Sequence, residues 1–271
     1  MSAASPTYDS FVGDVAASYE RHFVPTIPAP LADATVERAG LQPGERVLDV
    51  GCGTGIVARV AAERLGPDAQ VIGVDPSPEM IEHASAISTA AGVPIQWEEG
   101  DAAQLPIDDE SIDVVLSQLT LSFVGDKAGA AREIRRVLAP GGRAVINVAG
   151  AIQPLNQEMA DALARHIDPN LAGFLGVVFS MPDPNQTAAL LRDAGLSDVR
   201  ATVEEHRFQL PPPAEFLWGY VAATPLSLFM ADTPPEARQS LEADLLERWQ
   251  PYVNDDGMVV DQPIVWAFAS S

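Results

Sequence analysis

The chain has 271 residues, 47% of them hydrophobic and 20% charged, with a formal net charge of −22 and a pI near 4.3. That length accommodates one large α/β domain with insertions. Sixteen basic residues against 38 acidic ones, with no dense basic patch, argue against nucleic acid or an anionic membrane surface as partner. One cysteine, Cys52, excludes an internal disulfide and a cysteine-based zinc site. The opening MSAASPTYDS lacks the features of a signal peptide, and no run reaches the roughly 18 apolar residues of a membrane span, so a cytoplasmic protein is expected.

In chain order, Phe11, Val12, Val15, Tyr19 and Phe23 fall at helical spacing over residues 8–23, and Pro25, Pro28 and Pro30 end that helix. A second helix is predicted from Leu31 to Ala39, stopping at Gly40. Arg46 to Val50 is a short buried strand. Gly51, Gly53 and Gly55 follow it within five positions, and a helix pattern begins at Ile56. Strand, glycine turn and helix make half of a βαβ unit, and ligands of open parallel sheets lie at such strand ends.

Two ligands compete for this turn. The run Gly53-Thr54-Gly55-Ile56-Val57-Ala58 fits a dinucleotide fingerprint, and Asp75 falls where the ribose-binding acid of an NAD enzyme belongs. Against that stands Asp49, two residues before the first glycine. Placed toward the ligand, its carboxylate would repel a pyrophosphate and attract a cation. S-adenosylmethionine carries a sulfonium, an ammonium and no phosphate.

Strand two is predicted at Ala69–Val74 with Asp75 at its tip, placed to accept hydrogen bonds from both ribose hydroxyls. Pro76, Ser77 and Pro78 open a helix with Ser77 as N-cap and an apolar stripe of Met80, Ile81, Ala84, Ile87 and Ala91. Met80 is either core or a contact to a bound base. Ile95–Glu98 and Ile112–Leu116 are strands three and four. A helix over Asp126–Leu138 presents Arg132, Arg135 and Arg136 as a solvated face. Pro140-Gly141-Gly142 turns into strand five, Arg143–Val148.

VLDVGCGTG (Val47–Gly55) resembles the first motif of class I S-adenosylmethionine-dependent methyltransferases. VIGVDPSPEMI (Val71–Ile81), EGDAAQLPIDDESIDVVLS (Glu99–Ser117) and RVLAPGGRAVI (Arg136–Ile146) resemble the next three, in order. Together they cover Arg46 to Val148. The wider likeness is to the ubiquinone/menaquinone-biosynthesis type of small-molecule methyltransferase. The resemblance implies a Rossmann-like, seven-stranded, mostly parallel sheet with helices on both faces and a helical cap insertion. It implies S-adenosyl-L-methionine as cofactor, and contacts to it from Gly51, Cys52, Gly53, Asp49, Asp75, Pro76 and Met80. It further implies that Asp101 accepts from the adenine amino group, that the Ala102 backbone donates to a ring nitrogen, and that Ser117 and Gln118 meet the amino-acid end. Elements before the first strand fold over the cofactor in this family, which places Tyr19 near the methionine end, with His22 one helical turn away on the same face.

After Ala149, helices are predicted at residues 153–167 and 184–194, then strand six over Val199–Phe208. Pro211-Pro212-Pro213 is a stiff spacer. Glu215–Met230 is rich in large apolar residues and reads as substrate cap, core or dimer face; a homodimer stays open. Thr233-Pro234-Pro235-Glu236 has capping-box spacing, and Val259–Phe268 is the last strand. The expected organisation is an N-terminal helical lid (1–44), a cofactor-binding core (45–210, with a helical insertion near 150–195), a substrate-side cap (211–255) and a final core strand (256–271). Methyl transfer is an in-line displacement that demands placement and dryness more than a catalytic side chain, so no catalytic residue is assigned. His83, His166 and His206 read as structural or surface, no metal is expected, and a small-molecule acceptor is. An NAD-dependent oxidoreductase and a cofactor binder without turnover remain the alternatives.

Overall fold

The computed structural model describes residues 15–230 and 232–271. The predicted first helix therefore lies in part, with Phe11 and Val12, outside the described residues. Helix α1 (Val15–Ser18) is short and runs into a π-helical turn (Tyr19–Phe23). Helix α2 (Pro28–Ala39) begins three residues earlier than its pattern suggested, because Pro28 is accepted in a first helical turn where no amide is needed. Gly40 ends it in the left-handed conformation (φ 59°).

The core alternates strand and helix: β1 (Arg46–Val50), α3 (Ile56–Leu65), β2 (Gln70–Asp75), α4 (Pro78–Ala91), β3 (Gln96–Glu99), β4 (Ile112–Gln118), α5 (Lys127–Val137) and β5 (Leu138–Ala149). Helices α6 (Pro154–His166), α7 (Ala172–Val178) and α8 (Pro184–Asp193) precede β6 (Ser197–Leu210). Helices α9 (Pro213–Ala222), α10 (Leu226–Met230) and α11 (Pro235–Arg248) lead to β7 (Val253–Asn254) and β8 (Gly257–Ser270). The sheet order is β3-β2-β1-β4-β5-β8-β6, with the two-residue β7 hydrogen-bonded to β8. Strands β1 to β5 pair in parallel and β8 runs antiparallel to both β5 and β6. The order reverses between β1 and β4, which opens a crevice at their carboxyl ends.

Strand alternation sends neighbouring side chains to opposite faces. Val47, Val114 and Val145 join one apolar cluster with α2 and α3; Leu48, Val115 and Ile146 join the other with α5 and α8. Helices α6, α7, α9 and α11 extend the first cluster over the carboxyl ends of the strands. Trp249 at the end of α11 is fully buried there, its ring 5.8 Å from Phe216 and its Nε1 donating to the Leu155 carbonyl at 3.2 Å. Asp244 of α11 binds His166 of α6 at 2.8 Å and also pairs with Arg165.

Several local expectations are corrected. The Thr233 capping box does not form: Pro234 is the N-cap and the Thr233 hydroxyl donates back to Phe229 at 2.7 Å. The buried stripe of α4 is Met80, Ala84 and Ser88, because the Ser88 hydroxyl accepts from Trp97 Nε1 at 3.0 Å. Arg136 is no solvated side chain; it donates to Glu133, Asp109 and the carbonyls of Leu105 and Ile107. The Pro140-Gly142 turn is an irregularity inside β5, whose pairing to β4 jumps from Leu138 to Arg143. His206, by contrast, has the structural role its strand position suggested: it accepts from Trp266 Nε1 at 3.1 Å, and burial pushes its pKa down.

Candidate active site

The three glycines of the turn do three different jobs. At Gly51 (φ 70°) a Cβ would meet the Thr120 side chain at 2.1 Å, so β4's continuation packs directly on bare backbone. At Gly53 (φ 54°) the nearest group is the Tyr19 ring, at 3.9 Å. At Gly55 (φ 89°) a Cβ would strike the Trp97 ring at 2.3 Å, and the same ring bars a Cβ at Gly73. The third glycine thus serves packing rather than a ligand.

The amides of this turn are engaged by the neighbouring strand. Gly51 and Cys52 N–H donate to the Val74 carbonyl at 2.8 and 3.0 Å, and Gly53 N–H donates to Asp75 Oδ2 at 2.8 Å. Asp75 Oδ1 accepts from Ser77 N–H at 3.0 Å. The carboxylate is thereby held in one pose. A phosphate needs free amides, and the leading ones here are taken. Asp49 is 1% exposed and accepts from Ala58 N–H, in the first turn of α3, at 3.1 Å.

Burial pushes the Asp49 pKa up to about 7, against the lowering effect of the Ala58 amide; the charge of Asp75 adds to the rise and that of Arg59 opposes it. Burial, then the charges of Asp75 and Asp49, push the Cys52 thiol well up, so it stays protonated and is no nucleophile. The π-helical turn is latched onto this loop by Glu20, which accepts from the Thr54 hydroxyl and pairs with Arg59 at 2.7 Å. Sequence pattern missed Glu20, because its partners lie 34 and 39 positions away.

A cavity of about 230 Å³ opens at the switch point. Of the residues singled out from the sequence, Tyr19, Gly51, Gly53, Asp75, Pro76, Met80, Asp101, Ala102 and Gln118 line it. Four do not. Asp49 points into α3, which corrects the expectation that it faces the ligand. Cys52 is buried beneath the turn, 3.1 Å from where a Gly73 Cβ would sit. Ser117 is fully buried and donates to the Val50 carbonyl at 3.1 Å. His22 is exposed and lies against Gly219 of α9, because a π turn carries more residues per turn and breaks the one-turn alignment with Tyr19.

The structure adds residues that no motif marked. Leu119 lines the cavity in the left-handed region (φ 56°), a costly conformation for this side chain. Its N–H donates to both the carbonyl and Oδ1 of Asn147, at 2.9 and 3.2 Å. Asn147 in turn donates to Thr35, and Thr35 to Gln118 Oε1 at 2.7 Å, while Gln118 Nε2 donates to the Pro28 carbonyl. This buried polar chain ties α2 to the tips of β4 and β5 and fixes the backbone at the cavity. Asp101 braces its own loop by accepting from Ala103 N–H at 2.7 Å.

Residues 48–146 match the methyltransferase domain family. Over that stretch the chain carries a methyltransferase domain. It is 30% identical over 207 residues to an arsenite methyltransferase of Halobacterium salinarum, a match covering 76% of this chain and 49% of that protein. It is 29% identical over 233 residues to nocamycin O-methyltransferase of Saccharothrix syringae, covering 80% and 82%. Its fold is shared with the YcgJ protein of Bacillus subtilis, with a TM-score of 0.60 at 22% identity, covering 89% and 97%. The chain spans about half or less of several of the curated relatives it matches. Relatives named for arsenite and for nocamycin do not single out the ubiquinone type. The matched family and the two relatives named here are methyltransferases, and neither relative is a dehydrogenase. No helix among the described residues is long and apolar enough to cross a membrane.

Proposed function

We propose that this protein transfers the methyl group of S-adenosylmethionine to a small-molecule acceptor by in-line displacement in the cavity at the β1/β4 switch point. One observation carries the reading: the tip of β2 brings the Asp75 carboxylate to the cavity beside the glycine turn, whose Gly51, Cys52 and Gly53 amides are already engaged. No Lys or Arg is among the described residues that line it. Such a site favours a cationic nucleoside over a dinucleotide.

Bound there, the cofactor would supply a methyl group already activated by its sulfonium. Asp75, pinned by Gly53 and Ser77, would hold the ribose diol. Asp101 and Ala102 would take the adenine edge and Met80 would pack on its face. Tyr19, latched through its neighbour Glu20, would close the methionine end, and the strained Leu119–Thr120 backbone would fix the spacing to the acceptor. The residues' work is placement and exclusion of water. The acidic surface and scarcity of basic residues support a small molecule rather than nucleic acid as acceptor. A cytoplasmic location fits the same reading.

Thermal shift tests the donor. S-adenosylhomocysteine at about 100 times its Kd adds about 2.7 kcal/mol, worth roughly 5–10 °C in a chain of this size. NAD is expected to leave the Tm unchanged. A Tm raised by NAD and not by S-adenosylhomocysteine would overturn the proposal. Transfer of labelled methyl to candidate acceptors then separates turnover from binding alone.

A further inference from the structure

Beyond the nucleoside side, the cavity continues into a chamber under the cap. Its walls are Phe23 of the π turn, Phe179 after α7, Phe216 and Tyr220 of α9, and Val260 and Ile264 of β8. The rings interlock: Tyr220 lies 5.6 Å from Phe23 and 5.9 Å from Phe216, centroid to centroid. One residue in five of this chain is charged, yet the described lining holds no Lys, Arg or His, and its carboxylates, Asp75 and Asp101, sit at the carboxyl ends of β2 and β3. A charged group entering the chamber would lose its hydration without a partner.

Two amides interrupt the apolar wall, and their orientation follows from their surroundings. Gln262 is 4% exposed, and its Nε2 donates to the carbonyls of Ala151 and Pro263 at 3.1 and 2.9 Å. Two acceptors at one end fix that end as the nitrogen. Gln262 Oε1 therefore accepts from Asn156 Nδ2, in a long contact of 3.4 Å. That leaves Asn156 Oδ1, which has no hydrogen-bond partner among the described residues, as the oxygen a ligand meets in the cavity wall. The relay from two backbone carbonyls through Gln262 ends on one polarised acceptor.

We propose that this chamber takes an uncharged, ring-bearing molecule with one hydroxyl or N–H donor, read by Asn156 Oδ1. The inference rests on the methyl-transfer reading only in making that molecule the methyl acceptor. Rings suit the aromatic walls, and a molecule that covers the Asn156 oxygen without bringing a donor strips its hydration with no replacement.

The test is calorimetric titration of the full chain, with and without S-adenosylhomocysteine, using three biphenyl probes. 4-Phenylphenol brings a ring and a donor, 4-methoxybiphenyl the ring alone, and biphenyl-4-carboxylate a charge. The phenol is expected to bind about tenfold more tightly than the ether, and the carboxylate roughly a hundredfold more weakly than the phenol. Asn156→Leu should abolish the preference for phenol over ether while the ether still binds. Equal affinity of phenol and ether, a carboxylate as tight as the phenol, no binding of any probe, or an N156L protein that keeps the preference would overturn the inference. The three-probe comparison on the unaltered protein decides the matter even if N156L fails to fold. Loss of S-adenosylhomocysteine binding would instead remove the methyl-transfer reading and leave the probe preference measurable.

Discussion

Asp75→Asn isolates the proposed ribose contact. The carboxylate accepts Gly53 N–H at 2.8 Å and Ser77 N–H at 3.0 Å with different oxygens. Asparagine has one oxygen, so one of the two amides would face an NH₂ group instead. The variant loses the negative charge and one acceptor at nearly the same volume. Hydrogen bonds to a charged group contribute about 1.5–3 kcal/mol, so S-adenosylhomocysteine affinity should fall by roughly 10- to 150-fold. The orphaned amide also costs the free protein about 1–3 kcal/mol, a drop of roughly 2–12 °C in Tm. Titration calorimetry on the folded variant reads the first effect and thermal denaturation without ligand reads the second. An unchanged Kd in a variant that melts lower would refute the ribose role and leave Asp75 a purely structural clamp on the turn.

Asp49→Asn tests the buried acid through pH. Its folded pKa of about 7 lies above the unfolded value of about 3.9. Between those values the native state holds a proton that the unfolded state lacks, so this group's contribution to stability falls as pH rises toward 7 and is level above it. The span amounts to about 4 kcal/mol. Denaturant titrations from pH 4 to 8 should show the variant gaining on the parent as pH rises; a gap independent of pH would show that Asp49 stays ionised. Gly73→Ala should lower stability by about 1–3 kcal/mol through overpacking, because the added carbon meets Trp97 at 2.3 Å. Relief of that loss by Trp97→Leu in the double variant would confirm the clash, and strict additivity would dismiss it. Glu20→Ala removes the Thr54 and Arg59 contacts that latch the π turn. Tryptic cleavage at the exposed Arg21 should quicken about tenfold, the effect of about 1.4 kcal/mol on local opening; an unaltered rate would mean that the turn is held by its apolar contacts alone.

Local sequence determined the parallel core. The run Val47–Gly55 joins a buried strand to a turn with φ values of 70°, 54° and 89°, positions that favour glycine. Asp75 at its strand tip and the switch between β1 and β4 follow from the same βαβ repetition, because each depends on neighbours a few positions apart. Tertiary structure decided what the residues face. Asp49 turns into α3 and Ser117 into the sheet, since strand alternation allows two faces and only packing chooses between them. His22 leaves the site because a π turn, with no pattern to announce it, shifts the helical phase. The chamber joins Phe23, Asn156, Phe216 and Gln262, the two amides standing 106 positions apart. Periodicity reports which side chains are hidden from water, but not which distant ones hide together, and a cavity consists of that second kind of fact.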